Sequence, residues 1–68
     1  SSPLEYHMYA HRMDITVLAQ ATGFFRWQVR RHLKPAVFRR LKPGKLQRYE
    51  EAFQMTADQL RTLPPDDQ

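Results

Sequence analysis

Apolar residues recur along this chain in short groups at helical spacing, and nowhere do they alternate with polar ones as a strand requires. The opening Ser2-Pro3-Leu4-Glu5 reads as a helix start: Ser2 caps, Pro3 takes the first helical position, and Glu5 stands three residues after the cap. That helix is expected to run to about His11. In Met13-Asp14-Ile15-Thr16-Val17-Leu18, Asp14 can accept from free amides while Met13 folds onto Leu18, a hydrophobic staple that opens a second helix. It spans Ile15 to about Ala21 and closes at Thr22-Gly23, since glycine takes the left-handed conformation without a Cβ clash.

From Phe25 to Lys34, Val29 and Leu33 share one face a turn apart, whereas Trp27, Arg30, Arg31 and Lys34 follow i, i+3, i+4, i+7 on the other. This spacing predicts an amphipathic third helix with a cationic outer side, stopped by Pro35. Ala36 to Lys42 then reads as a loop whose Val37, Phe38 and Leu41 plug the core while its arginines face water. After Pro43-Gly44, a fourth helix turns Leu46, Tyr49 and Phe53 inward. Met55-Thr56-Ala57-Asp58-Gln59-Leu60 repeats the earlier device, with Thr56 and Gln59 as a capping box and Met55 stapled onto Leu60, and a short fifth helix fades by Thr62. The expected fold class is all-α, a compact bundle of about five short helices. Residues 1–62 form one domain in this reading, and 63–68 a flexible tail or linker.

Composition narrows the class. A chain of 68 residues buries only about 60% of its unfolded surface and supports one core. Its hydrophobic share of 41%, without a long apolar run, argues against both a disordered tail and a membrane span. There is no cysteine, so packing and helix caps must hold the core, and the cytoplasm is the default location. Ser1-Ser2 is neither a signal-peptide pattern nor a starting methionine, as expected of a piece excised from something longer.

Charge changes the picture most. Between Arg26 and Arg48 stand nine cations and no acid; the rest of the chain holds two cations and seven acids, so +9 faces −5 within a net +4. Such one-sidedness is the electrostatic footprint of a surface for phosphates, although basic runs are often merely solvated faces.

The pair of helices from Asp14 to Lys34 reads as a helix-turn-helix: Ala19 is small where the helices cross, Gly23 makes the turn, and Leu18, Phe24 and Val29 bury the corner. Phe25 is expected to pack in the same corner. Together with Leu46 to Phe53 and Met55-Thr56-Ala57-Asp58-Gln59-Leu60, this pattern resembles the five-helix phage-repressor (lambda-repressor-like, Cro-type) DNA-binding domain over about Leu4 to Leu60. The resemblance implies double-stranded DNA as partner, a bacterial or phage-like transcriptional regulator, and a homodimer or one module of a longer chain. It also implies that the third helix recognises DNA, with Phe25, Arg26, Trp27, Arg30 and Arg31 near base edges or adjacent phosphates. Three positions depart from the family pattern. Phe25 stands where a polar cap is usual. Ile15 replaces a polar phosphate-contacting residue, leaving Thr16 as the nearest hydroxyl. His32 occupies an ordinarily apolar place, with Leu33 expected to take over its packing.

Arginine presents a fork of donors that matches guanine O6 and N7, which makes Arg26, Arg30 and Arg31, with Trp27, the candidate base contacts. Thr16, Lys34, Arg39, Arg40, Lys42 and Lys45 are the candidate phosphate contacts, adding affinity and salt dependence without reading bases. Three roles are open to Trp27: a contact to a thymine methyl or deoxyribose, a core ring folded onto Phe38, or an anchor for another protein. His7 and His11 have the i, i+4 spacing of a shared metal, but two ligands do not make a zinc site. No cofactor, catalytic motif or small-molecule substrate is evident, and an enzyme is not expected. The competing reading is a protein-interaction module anchored by Phe25 and Trp27; RNA binding is weaker, for want of an RNA motif.

Overall fold

Six helices follow one another in the computed structural model, which describes residues 2–63: α1 (Pro3–Ala10), α2 (Ile15–Thr22), α3 (Arg26–His32), α4 (Pro35–Arg39), α5 (Pro43–Phe53) and α6 (Ala57–Arg61). Three begin at the caps that the sequence pattern predicts. The Ser2 hydroxyl accepts from the Glu5 amide at a long 3.5 Å, and the Asp14 carboxylate accepts from the Val17 amide at 2.8 Å. At α6 the box is reciprocal: Thr56 Oγ1 accepts from the Gln59 amide at 3.2 Å, and Gln59 Oε1 from the Thr56 amide at 2.9 Å. Each cap satisfies amides that have no partner within the helix.

The helix ends differ more from expectation than the starts. Gly23 closes α2 with φ at 82°, as predicted, and its amide donates to the Ala19 carbonyl at 2.8 Å. But α1 and α5 close through the same left-handed geometry without glycine. Arg12 (φ 57°) and Gln54 (φ 55°) supply it, and the Met13 and Met55 amides reach back to the Met8 and Glu50 carbonyls at 2.9 and 3.0 Å. Each of these turns leads directly into the next cap, so the α1–α2 and α5–α6 corners are built alike.

The stretch Ala36 to Lys42, expected as a loop, contains all of α4 but its first residue. Pro35 ends α3 but also sits at the first position of the new helix, where its fixed φ is helical and its missing N–H costs nothing. The third helix is correspondingly shorter than Phe25 to Lys34, with Phe25 as its cap and Leu33 just beyond it. Phe25 has no side-chain acceptor to offer, and Gln28 Oε1 instead accepts from the Phe25 amide at 2.9 Å.

The core draws on every helix. Leu4 and Met8 come from α1, Leu18 and Ala19 from α2, Val29 from α3, Phe38 from α4, Leu46, Tyr49 and Phe53 from α5, and Leu60 from α6, with Phe24 filling the α2–α3 corner. Full burial of each large apolar side chain contributes about 1.5–3 kcal/mol. α2 packs on α3 and α5, and α1 on α4 and α6, so the chain closes upon itself. Two expectations are corrected here. Phe25 is 68% exposed, because as cap residue it turns away from the corner that Phe24 fills. Leu33 is only half-buried and does not substitute for His32, which is itself buried. Of the stretch 63–68, Leu63 is half-buried, and residues 64–68 lie outside the described part. No helix is long and apolar enough to cross a membrane among the described residues.

An added Cβ at Gly23 would meet nothing closer than Arg48 Nη1 at 3.8 Å, so its cost is conformational rather than steric. Gly23→Ala is therefore expected to destabilise the fold by about 1–2 kcal/mol, read as a lower urea midpoint at an unchanged slope. Gly44→Ala, with φ outside the left-handed region and open space around it, should be neutral or stabilising.

Candidate nucleic-acid interface

Burial of α3 is one-sided. Val29 (fully buried) and His32 point into the core, while Arg26, Trp27, Arg30 and Arg31 are all exposed. Helical spacing explains this: residues 29 and 32 lie three apart on one stripe, and 26–30 and 27–31 are i, i+4 pairs on the remaining surface. Lys34, Arg39, Arg40, Lys42, Lys45 and Arg48 are exposed too, so all nine cations of the basic segment reach solvent. Thr16 is exposed in the first turn of α2.

His32 is the residue that sequence reasoning missed. Its Nδ1 lies 2.6 Å from the Tyr49 hydroxyl, and both side chains are buried. Burial pushes the Tyr49 phenol well above its ordinary range, so the hydroxyl keeps its proton. Fully buried and with Nδ1 as its one hydrogen-bond partner among the described residues, the hydroxyl places that proton by donating to Nδ1, which leaves the imidazole proton on Nε2. The His32 ring also stands edge-on to Phe24 at 5.0 Å, and Tyr49 meets Phe24 at 5.2 Å and Phe38 at 6.1 Å. Burial, then Lys45, then Arg31 hold the His32 pKa below its ordinary value, because each disfavours a further positive charge. The only sequence signal was a histidine on an otherwise apolar stripe, without anything to indicate its partner 17 residues away.

Beside His32 an open groove of about 550 Å³ runs between α3, α4 and the start of α5. Arg31, Arg40, Lys42 and Lys45 line it, with Trp27, Ala36, Val37 and Leu41 as its apolar wall. Five predicted contact residues are thus gathered around one depression: Trp27, Arg31, Arg40, Lys42 and Lys45. Arg26, Arg30, Lys34, Arg39 and Thr16 are not among its lining residues. Arg48 is engaged elsewhere, its guanidinium 5.0 Å above the Phe24 ring at the α2–α3 turn, a cation–π contact.

Trp27 is 62% exposed and does not fold onto Phe38; its ring runs parallel to that of Phe25, at 9° and 6.4 Å between centroids. At α1, His7 is buried against Tyr6 and Phe53 and His11 lies edge-on to Phe53 at 5.0 Å, so both rings are packed against aromatics. Among the described residues no three metal-ligating side chains gather. Compared with protein-family models, with curated proteins and with solved structures, the chain finds no match.

The His32–Tyr49 pair carries two testable consequences. Tyr49→Phe leaves Nδ1 buried without its donor and should cost about 1–3 kcal/mol in chemical unfolding. The pH dependence follows from the lowered His32 pKa: the unfolded chain binds a proton near 6.5 while the folded chain does not, so stability falls as pH drops below that value and levels off only beneath the folded pKa. Unfolding free energies between neutral pH and about pH 5 should show a shallower loss for His32→Gln than for the parent chain; identical slopes would remove His32 as the source.

Proposed function

We propose that this chain is a sequence-specific double-stranded DNA-binding domain, a transcriptional regulator that sets α3 into the major groove as the recognition helix of a helix-turn-helix. One observation carries the reading: α3 buries Val29 and His32 and exposes Arg26, Arg30 and Arg31, continuous with a field of further cations on α4 and the start of α5. A helix that presents arginines outward on a rigid support is what base-edge recognition needs.

In this reading Arg30 and Arg31, flanked by Arg26 and Trp27, meet base edges. Lys34, Arg39, Arg40, Lys42 and Lys45 hold the backbone phosphates on one side, and Thr16 meets a phosphate at the start of α2. The resemblance to phage-repressor domains supports the same assignment, and pairing of two copies on a palindromic site goes with it. Binding rather than catalysis is the activity.

A second reading has its own observation. Phe25 and Trp27 expose 68% and 62% of their surfaces side by side, and exposed aromatic pairs of this kind anchor protein interfaces. Here α3 would meet a protein partner, and the cations would serve only its rim.

Duplex binding at low salt separates the two. The DNA reading expects the affinity to fall steeply with salt, the logarithmic slope approaching −0.9 for each phosphate neutralised. Arg30→Ala or Arg31→Ala should lose about 1–3 kcal/mol on the preferred sequence and relax its discrimination. Lys42→Ala and Lys45→Ala should instead weaken all duplexes alike. Absence of any duplex binding at low salt, with Phe25→Ala and Trp27→Ala abolishing capture of a protein, would replace the first reading with the second.

A further inference from the structure

The groove beside His32 is too large and too mixed in character to be explained by phosphate contact alone. A volume of about 550 Å³ falls within the range of sites for small organic ligands, about 300–1,000 Å³, whereas a single backbone phosphate needs only a few converging donors. Its cations and apolar wall also differ in origin. Arg31 comes from α3, Arg40 from the residue after α4, and Lys42 and Lys45 from the start of α5. The apolar wall is Trp27 on α3, Ala36 and Val37 on α4, and Leu41 in the link to α5. Four positive charges thus share one depression with an aromatic ring and an aliphatic wall.

His32 adds a polar group to the groove. The side chain is 97% buried, being 3% exposed, yet it lines the groove. Its Nδ1 is taken by Tyr49, and no hydrogen bond from Nε2 forms among the described residues. With the ring proton on Nε2, the groove offers an N–H donor held in place by the Tyr49 bond.

We propose that this groove binds a free nucleoside monophosphate or a ligand of that class: a dianionic phosphate monoester carrying a flat, partly apolar body. The phosphate sits among Arg31, Arg40, Lys42 and Lys45 and accepts from His32 Nε2–H. The flat body lies along Trp27, Val37 and Leu41. A monoester matches four cations better than the single charge of a backbone diester, and the wall gives the flat body a place that inorganic phosphate cannot use. The site shares Trp27, Arg31, Arg40, Lys42 and Lys45 with the surface proposed for DNA but does not depend on that reading.

Trp27 is the only tryptophan, so a single indole N–H resonance reports the wall of the groove, and the His32 ring reports its floor. Titration with thymidine 5′-monophosphate is expected to shift both, with a dissociation constant between about ten micromolar and one millimolar. Thymidine and inorganic phosphate, each lacking half of the ligand, should bind at least about tenfold more weakly, a difference of about 1.4 kcal/mol. Arg40→Gln/Lys45→Gln, both exposed and outside the core, should weaken the nucleotide by at least about tenfold while the α-helical spectrum is unchanged and the thermal midpoint does not fall below that of the parent. His32→Gln, which keeps a donor, is expected to bind more tightly than His32→Phe. Inorganic phosphate binding as well as the nucleotide would overturn the proposal, as would shifts that persist in the double variant. Movement of the two resonances with a short duplex but not with the free nucleotide would also overturn it, leaving the groove as part of the DNA surface.

Discussion

A single buried hydrogen bond, from the Tyr49 hydroxyl to His32 Nδ1 at 2.6 Å, sets how α3 sits on the rest of the molecule. The helix is only seven residues long, and without tertiary support a segment of this length has little helical stability of its own. Val29 gives it apolar burial, which is strong but indifferent to small rotations. The histidine bond is directional. Together they fix the rotation of α3 about its axis, and with it the direction in which Arg26, Trp27, Arg30 and Arg31 leave the surface. Phe24 and Phe38 complete the constraint by packing their rings against Tyr49, so the α2–α3 turn and α4 are held by the same side chain.

How much of this could be read from residues alone depends on how local the cause is. The caps at Ser2, Asp14 and Thr56 and the left-handed Gly23 were legible because each acts within four residues of itself. α4 was not: Pro35 carries two opposite local meanings, the end of one helix and the first position of another, and only packing of Phe38 into the core decides between them. The closures at Arg12 and Gln54 escaped notice for a related reason, since both adopt a backbone region that their residue types rarely visit. Phe25 was misread as core because two adjacent phenylalanines look alike in sequence, yet a cap residue and its predecessor face different ways. The exposed cations of the candidate interface followed correctly from helical spacing. The groove did not, because Trp27, Arg40 and Lys45 meet only once three helices are assembled, and the role of His32 depended on a partner in α5.

The distribution of charge along α5 runs against the stability of that helix. Cations favour a helix C-terminus and acids its N-terminus, but Lys42 and Lys45 stand at the start of α5 while Glu50 and Glu51 lie near its end. α3 and α4 likewise have no acid in their first turns, although one would be expected to stabilise each by a few tenths of a kcal/mol to about 1 kcal/mol. Nine like charges within one continuous segment add mutual repulsion. Departures from the helix-charge preference that gather on one surface mark the place where a sequence answers to something other than its own folding. An anionic partner on this face, whether a polynucleotide or a smaller phosphate, would reverse the sign of each of these terms at once: it would screen the repulsion between helices, complement the starts of α3, α4 and α5, which lack an acid of their own, and relieve the pressure that Lys45 and Arg31 exert on His32.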